Sequence, residues 1–267
     1  MLGFDESILI KGAGDVATGV AHRLHRAGFR PLMTELPMPL TVRRMVSFSE
    51  AVYAGQIEVE GVTAVRAAGL GEALALRDRG LVPVIVDPES ATLRQWAPRV
   101  LIEATLAKHN TGITQHDAPL VIALGPGYTA GRDVHAVVET KRGHHLGRVI
   151  TEGAAAPNTG EPEAVAGHTH QRVLRAPGAG VFSPLVAIGD PVTAGQVVGR
   201  VGDAPVATAI DGVVRGLLHG GLAVTEGLKI GDVDPRGVRD YCFAISDKAR
   251  AVGGGVLEAL LHFASGR

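Results

Sequence analysis

Gly12 and Gly14 stand at the end of an apolar run, Ile8 to Ile10, and a helix follows them. In that setting the first glycine permits a tight bend, the second lets backbone approach a pyrophosphate, and Ala17 takes the third, close-packing position. The helix aims its N-terminal N–H groups at the same anion. Glu35 lies about 20 residues on, the spacing at which a carboxylate accepts hydrogen bonds from a ribose. It closes a second apolar stretch, Pro31-Leu-Met-Thr34. Strand, turn, helix, strand and acid in this order predict a nucleotide site.

Two features modify that expectation. Asp15 puts a carboxylate in the first helical turn, where it either caps the helix or competes with a pyrophosphate for the positive end of the dipole. Arg43 and Arg44, in a Pro-containing loop past Glu35, either clamp a further phosphate through forked guanidinium bonds or lie as solvated surface. Later loops add Lys108 and Asn110, then Gly125, Gly127 and Arg132, and then Glu139-Thr-Lys-Arg-Gly-His144. Each follows a short apolar run. Ligands of open α/β sheets bind beyond the carboxyl ends of strands, so these loops are expected to share a crevice with the Gly12 turn.

Other candidates carry a bland reading beside the chemical one. His144-His145 and His168-Thr-His170 lack the i, i+4 spacing of a zinc enzyme and have no third ligand placed by sequence, so no metal site is assigned. His135 and Glu139 would share one face of a strand, as an acid–base pair or as a buried polar pair. Asp232, Asp234 and Arg236 place two carboxylates and a guanidinium in an expected turn, holding an ion or tying the turn itself. Cys242 is the only cysteine, which excludes an internal disulfide and favours a buried, inert thiol. No triad, P-loop or metal-hydrolase signature is present, and no catalytic residue is assigned.

The elements that must position these residues read as an α/β chain. The runs 81–87, 100–104 and 120–124 suit strands buried on both faces, with a strand pair over 54–67 and a helix over 70–79. From 152 to 172 the composition shifts to Gly, Ala, Pro and Thr, which reads as a linker. Beyond it lies an internal repeat. Gly180–Val201 aligns without gaps on Gly212–Val233, with coincident glycines at 180 and 212, 189 and 221, 195 and 227, and 199 and 231. Two copies of one strand-turn-strand unit are expected to pack together, since neither buries its apolar face alone. Gly189-Asp-Pro-Val-Thr-Ala-Gly195 resembles the repeated segment of biotinyl and lipoyl carrier domains, but the joint between the halves holds no lysine for a swinging arm. The expected fold class is therefore a Rossmann-like parallel sheet domain (1–151), a linker (152–172), a small all-β barrel-sandwich domain (173–240) and a C-terminal helical segment (241–267).

With 26 basic and 27 acidic residues and no basic stripe, nothing favours nucleic acid. No signal-peptide pattern or bilayer-length apolar segment is seen, so the cytoplasm is expected, and a homodimer is expected on base rate alone.

The blocks Lys11–Gly19, Val42–Val52, Ala107–Gly112, Leu124–Gly131, Val138–His144 and Lys229–Arg236 together resemble the selenium-dependent molybdenum hydroxylase accessory proteins of the YqeB type. The resemblance implies maturation of molybdenum hydroxylases, a molybdopterin dinucleotide or related nucleotide as ligand, and the hydroxylase apoenzyme as partner. It implies a cofactor-handling factor rather than a turnover enzyme. Two alternatives stay open: an NAD(P)-dependent oxidoreductase, with Glu35 favouring NAD and the arginines NADP, and a non-catalytic assembly scaffold.

Overall fold

The computed structural model describes residues 7–162 and 164–265, in two units. The first unit comprises Met1–Pro39, Ser47–Asn158 and Ile245–Arg267; the second comprises Leu40–Val46 and Thr159–Ala244. This division differs from the contiguous one read along the chain. The segment expected as a separate C-terminal piece is shared, and the expected linker contains a short strand and a 3-10 turn, His170–Arg172.

In the first unit the order is β1 (Ile8–Lys11), α1 (Asp15–Arg26), β2 (Pro31–Glu35), α2 (Ala51–Ala54), β3 (Gln56–Val59), β4 (Val62–Ala67), α3 (Leu70–Asp78), β5 (Val82–Val86), α4 (Ala91–Trp96) and β6 (Val100–Glu103). There follow β7 (Leu120–Leu124), β8 (Thr129–Ala130), β9 (Ala136–Val138), β10 (Val149–Ile150) and β11 (Gly153–Ala154), and the unit ends in α5 (Asp247–Ala264). Nine strands form one sheet in the order β10-β9-β7-β6-β1-β2-β5-β4-β3, and β8 and β11 pair separately. Strand alternation sends Leu9, Leu32, Leu101 and Val121 into a core with Leu76 of α3 and Leu93 of α4. On α1, Val16, Val20 and Leu24 recur at helical spacing and are buried, and α5 packs along α1 and against β7, β9 and β10.

The Rossmann-like parallel sheet expected for this region is corrected to a mixed sheet. Its central pairs are parallel, but β3 with β4 and β9 with β10 are antiparallel. The physical reason is connection length. Only Glu60 and Gly61, both at positive φ, join β3 to β4, and a connection that short reverses the chain.

The second unit holds β12 (Val173–Arg175), β13 (Gly180–Pro184), β14 (Pro191–Val192), β15 (Val197–Val201), β16 (Ala204–Ala207), β17 (Gly212–Leu217), β18 (Ala223–Val224) and β19 (Lys229–Asp234). Each strand of the first repeat starts 32 residues before its counterpart: β13 with β17, β14 with β18, β15 with β19. The barrel-sandwich expectation is corrected to two four-stranded antiparallel sheets, β12-β19-β17-β14 and β16-β15-β13-β18. The repeats exchange their shortest strands: β14 pairs with β17, and β18 with β13. A two-residue strand has too little edge to stand alone, so each is held by the other copy. Phe182, Val198, Val214, Leu217 and Val233 fill the core, with Val42 and Met45 packed against it.

Candidate functional site

The Gly12 turn is tied to its own chain. Gly12 has φ +99°, and a Cβ there would stand 3.0 Å from the Ala104 carbonyl oxygen at the end of β6. Glycine is therefore required by backbone packing, whatever ligand is considered. Ala13 N–H donates to Glu35 Oε2 at 2.8 Å, and Leu36 N–H donates to Glu35 Oε1 at 2.7 Å. Ala13 C=O accepts from Ser49 N–H at 2.8 Å and from the Thr18 hydroxyl at 3.2 Å. Burial pushes the Glu35 carboxyl above its ordinary range, against the opposing pull of those two backbone donors. Gly14 occupies the N-cap position of α1 and Asp15 its first helical residue.

Of the remaining expected site residues, some hold their own loops. Asn110 Nδ2 donates to Ile113 C=O at 3.1 Å, and its Oδ1 accepts from Gly112 N–H at 2.7 Å. Arg132 forks onto the neighbouring Asp133 with two bonds of 2.9 Å. Gly125 and Gly127 both have positive φ, and a Cβ on Gly127 would meet the His109 backbone at 2.7 Å, so the loops after β6 and β7 touch main chain to main chain. Lys108 lies exposed on the former loop with φ +66°. Arg43 and Arg44 belong to the second unit. There Arg43 donates to Tyr241 C=O at 2.9 Å and Ala244 C=O at 3.1 Å, and Arg44 to Leu217 C=O at 3.1 Å.

The paired candidates separate. His135 Nδ1 accepts from Val121 N–H at 3.0 Å, while Glu139 accepts from Lys141 N–H and Ala156 N–H at 2.7 Å each. Asp232 and Asp234 end β19 with both carboxylates buried, and the expected turn follows at Pro235-Arg236: Asp232 pairs with Arg172, while Asp234 ties the turn by accepting from Arg236 N–H and taking a forked bond from its guanidinium. Cys242 is buried, its thiol donating to Val214 C=O at 3.6 Å, and burial pushes that thiol up.

A network that the sequence motifs did not single out lies at the carboxyl ends of β1 and β6. Lys11 Nζ stands 3.5 Å from Glu103 Oε2 and donates to Thr111 Oγ1 at 3.1 Å. Thr111 Oγ1 is also 2.9 Å from Glu103 Oε2 and 3.0 Å from the Tyr128 hydroxyl, while Thr111 N–H donates to that hydroxyl at 3.0 Å. Chemistry sets every direction. An ammonium only donates and a carboxylate only accepts, so the Thr111 proton goes to Glu103 and Tyr128 O–H must donate to Thr111 Oγ1. Thr105 bonds the other carboxylate oxygen through both N–H and hydroxyl, so Glu103 holds both ends of the loop that carries Lys108 and Asn110. Burial pushes the Tyr128 phenol up, against the pull of its Thr111 bonds.

Lys11 also lines a cavity of 490 Å³ with Ser90, Leu93, Arg94, Thr111 and His116. Its ammonium carries three N–H donors, of which Thr111 takes one, so the group has donors to offer the cavity. Ser90 and Ala97 on the cavity wall, like Leu106 and Lys108 on the loop after Glu103, are non-glycine residues at positive φ. Such strain costs about 1–3 kcal/mol per residue and persists where surrounding structure enforces it. Asp87 is part of that enforcement, accepting from Ala91 N–H at 2.9 Å and Thr92 N–H at 2.7 Å at the start of α4.

No family model matches the chain. It is 50% identical over 254 residues to Uncharacterized protein YqeB of Escherichia coli K12. The match covers 95% of this chain and 47% of that protein, so the chain spans about half the length of its relative. Among solved structures, an aspartoacylase family protein from Mesorhizobium loti matches at a TM-score of 0.27 and 12% identity, over 86% of this chain and 85% of that one. A succinylglutamate desuccinylase/aspartoacylase from Rhodobacter sphaeroides matches at 0.25 and 15%, over 85% and 86%.

The expected role in molybdenum hydroxylase maturation finds no support in these findings. The relative's name assigns no activity. Scores this low carry no activity over to this chain either. Among the described residues no group of three His, Cys, Asp or Glu is placed to hold a metal, and no helix is long and apolar enough to cross a membrane.

Proposed function

We propose that the first unit binds a small molecule bearing a phosphate or carboxylate in the cavity beyond the carboxyl ends of β1, β5 and β6, with Lys11 as its principal contact. The observation that carries this reading is the Lys11 ammonium, held by its Thr111 hydrogen bond and Glu103 ion pair where it lines a 490 Å³ cavity. Arg94 on the wall adds a second cation, beside the carboxylates of Glu89 and Asp117. Nucleotides have this chemistry, so NAD(P) and a molybdopterin dinucleotide belong among the ligands to be tried.

Calorimetric titration with inorganic pyrophosphate, NAD and NADP tests the reading. Saturable binding of at least one is expected, weakened about tenfold or more in Lys11→Met, a loss of about 1.4 kcal/mol. Lys11→Met leaves Glu103 without its cation, so Arg94→Glu, a change on an exposed residue, provides the second arm. Binding of none of the three ligands, or affinities unmoved by both variants, removes the proposal.

A further inference from the structure

At the other end of the same sheet, the starts of β7 and β9 and the last turns of α5 enclose a second cavity, of 360 Å³. Its walls are apolar: Leu120, Ala136, Val149, Ala259 and Phe263, with the exposed Thr151 and His262 completing the lining. His135 stands among them. Because Val121 N–H donates to His135 Nδ1 at 3.0 Å, the neutral ring carries its proton on Nε2. Burial, helped by the charge of His116, pulls this histidine toward the neutral form. Phe263 meets the imidazole edge-on, with ring centroids 6.2 Å apart, which restricts its rotation. Nε2–H has no hydrogen-bond partner among the described residues.

We propose that this cavity binds an uncharged apolar molecule carrying one hydrogen-bond acceptor, which Nε2–H of His135 takes up. The walls are mostly apolar, with His262 at the exposed rim, and disfavour ionic ligands, because burying an unpaired charge is far costlier than burying a neutral polar group. A ligand with no acceptor would cover the His135 donor and leave it unsatisfied, and that penalty selects for a carbonyl or ether oxygen. The site is distinct from the Lys11 cavity in both position and chemistry: one offers a cation, the other a neutral donor in an apolar slot.

Fluorescence titration with 2-acetylnaphthalene and 2-ethylnaphthalene tests the assignment, since the pair differ chiefly in the acceptor. The ketone is expected to bind about tenfold more tightly, the equivalent of one hydrogen bond. In His135→Phe the ketone should lose its advantage and bind no more tightly than the hydrocarbon, and Ala259→Met, which fills the cavity, should abolish both. Should His135→Phe not fold, the wild-type protein labelled with ¹⁵N-histidine supplies the readout: the ketone, and not the hydrocarbon, should shift the His135 Nε2–H resonance. No saturable binding of either probe, a preference that survives His135→Phe, or an unmoved Nε2–H resonance would each overturn the proposal.

Discussion

Gly253 of α5 lies against the backbone of Gly19 in α1, so closely that a Cβ at 253 would stand 2.8 Å from the Gly19 carbonyl oxygen. In return, a Cβ at Gly19 would meet Ala249 Cβ at 2.6 Å. A run of three glycines reads as a weak point in a helix, and here two helices approach through it. Gly254, one residue on, has nothing within 4 Å of its virtual Cβ. Gly253→Ala is therefore expected to destabilise by about 1–3 kcal/mol through overpacking. Gly254→Ala is expected to stabilise by up to about 1 kcal/mol through helix propensity. Urea unfolding of the two variants checks the contrast, and equal effects would sink the packing account.

Glu103 pairs with Lys11, accepts from Thr111 and twice from Thr105, and is almost fully buried. Removing one member of a buried pair costs about 3–5 kcal/mol, because its partner is left uncompensated. Glu103→Ala should fall in that range, and adding Lys11→Met to it should cost less than the sum of the two single changes. A double-mutant cycle by chemical denaturation measures the coupling; strict additivity would show that the two charges do not interact.

Asp234 of β19 titrates below its ordinary range. Burial alone would raise it, but the forked bond from Arg236, its backbone N–H and the nearby Arg215 prevail. A carboxyl with a depressed folded value contributes stability that is present above the unfolded value of 3.8 and is lost as pH falls through the folded one. Wild-type stability should thus decline below about pH 4. Asp234→Asn should be less stable at pH 7 and show a flatter decline in acid. Parallel pH profiles for the two proteins would refute this.

Cys242 should be inert in the folded protein. Its thiol is buried and its ionisation pushed up by burial. Reaction with a thiol reagent at pH 8 is expected to be slow in buffer and to accelerate by orders of magnitude in denaturant, following thiolate access. Rapid native labelling would contradict the buried placement.

Much of the local structure was legible along the chain. The apolar runs at 8–10, 81–87, 100–104 and 120–124 form strands because a sheet covered on both faces needs continuous apolar sequence. The repeat placed its strands in correspondence, and Ser246, whose hydroxyl accepts from Ala249 N–H, marks the start of α5. The candidate site was only partly legible. Spacing pointed to Gly12 and Glu35, which meet at the Ala13 N–H outside the Lys11 cavity, and it did not single out Lys11 or Glu103, since nothing in either one's neighbourhood in sequence announces the other.

What the sequence determined by itself was which residues seek burial and where the chain turns, because hydrophobic period and backbone dihedral preference are local. Only the tertiary structure decided which strands became neighbours. It set the antiparallel edges of the large sheet, the exchange of β14 and β18 between repeats, and the return of α5 to the first unit. It likewise decided which charges met. A side chain's periodicity specifies the face it occupies, but the partner opposite comes from a distant segment, and a lysine becomes a candidate ligand contact only when the fold brings Glu103 and Thr111 to hold it.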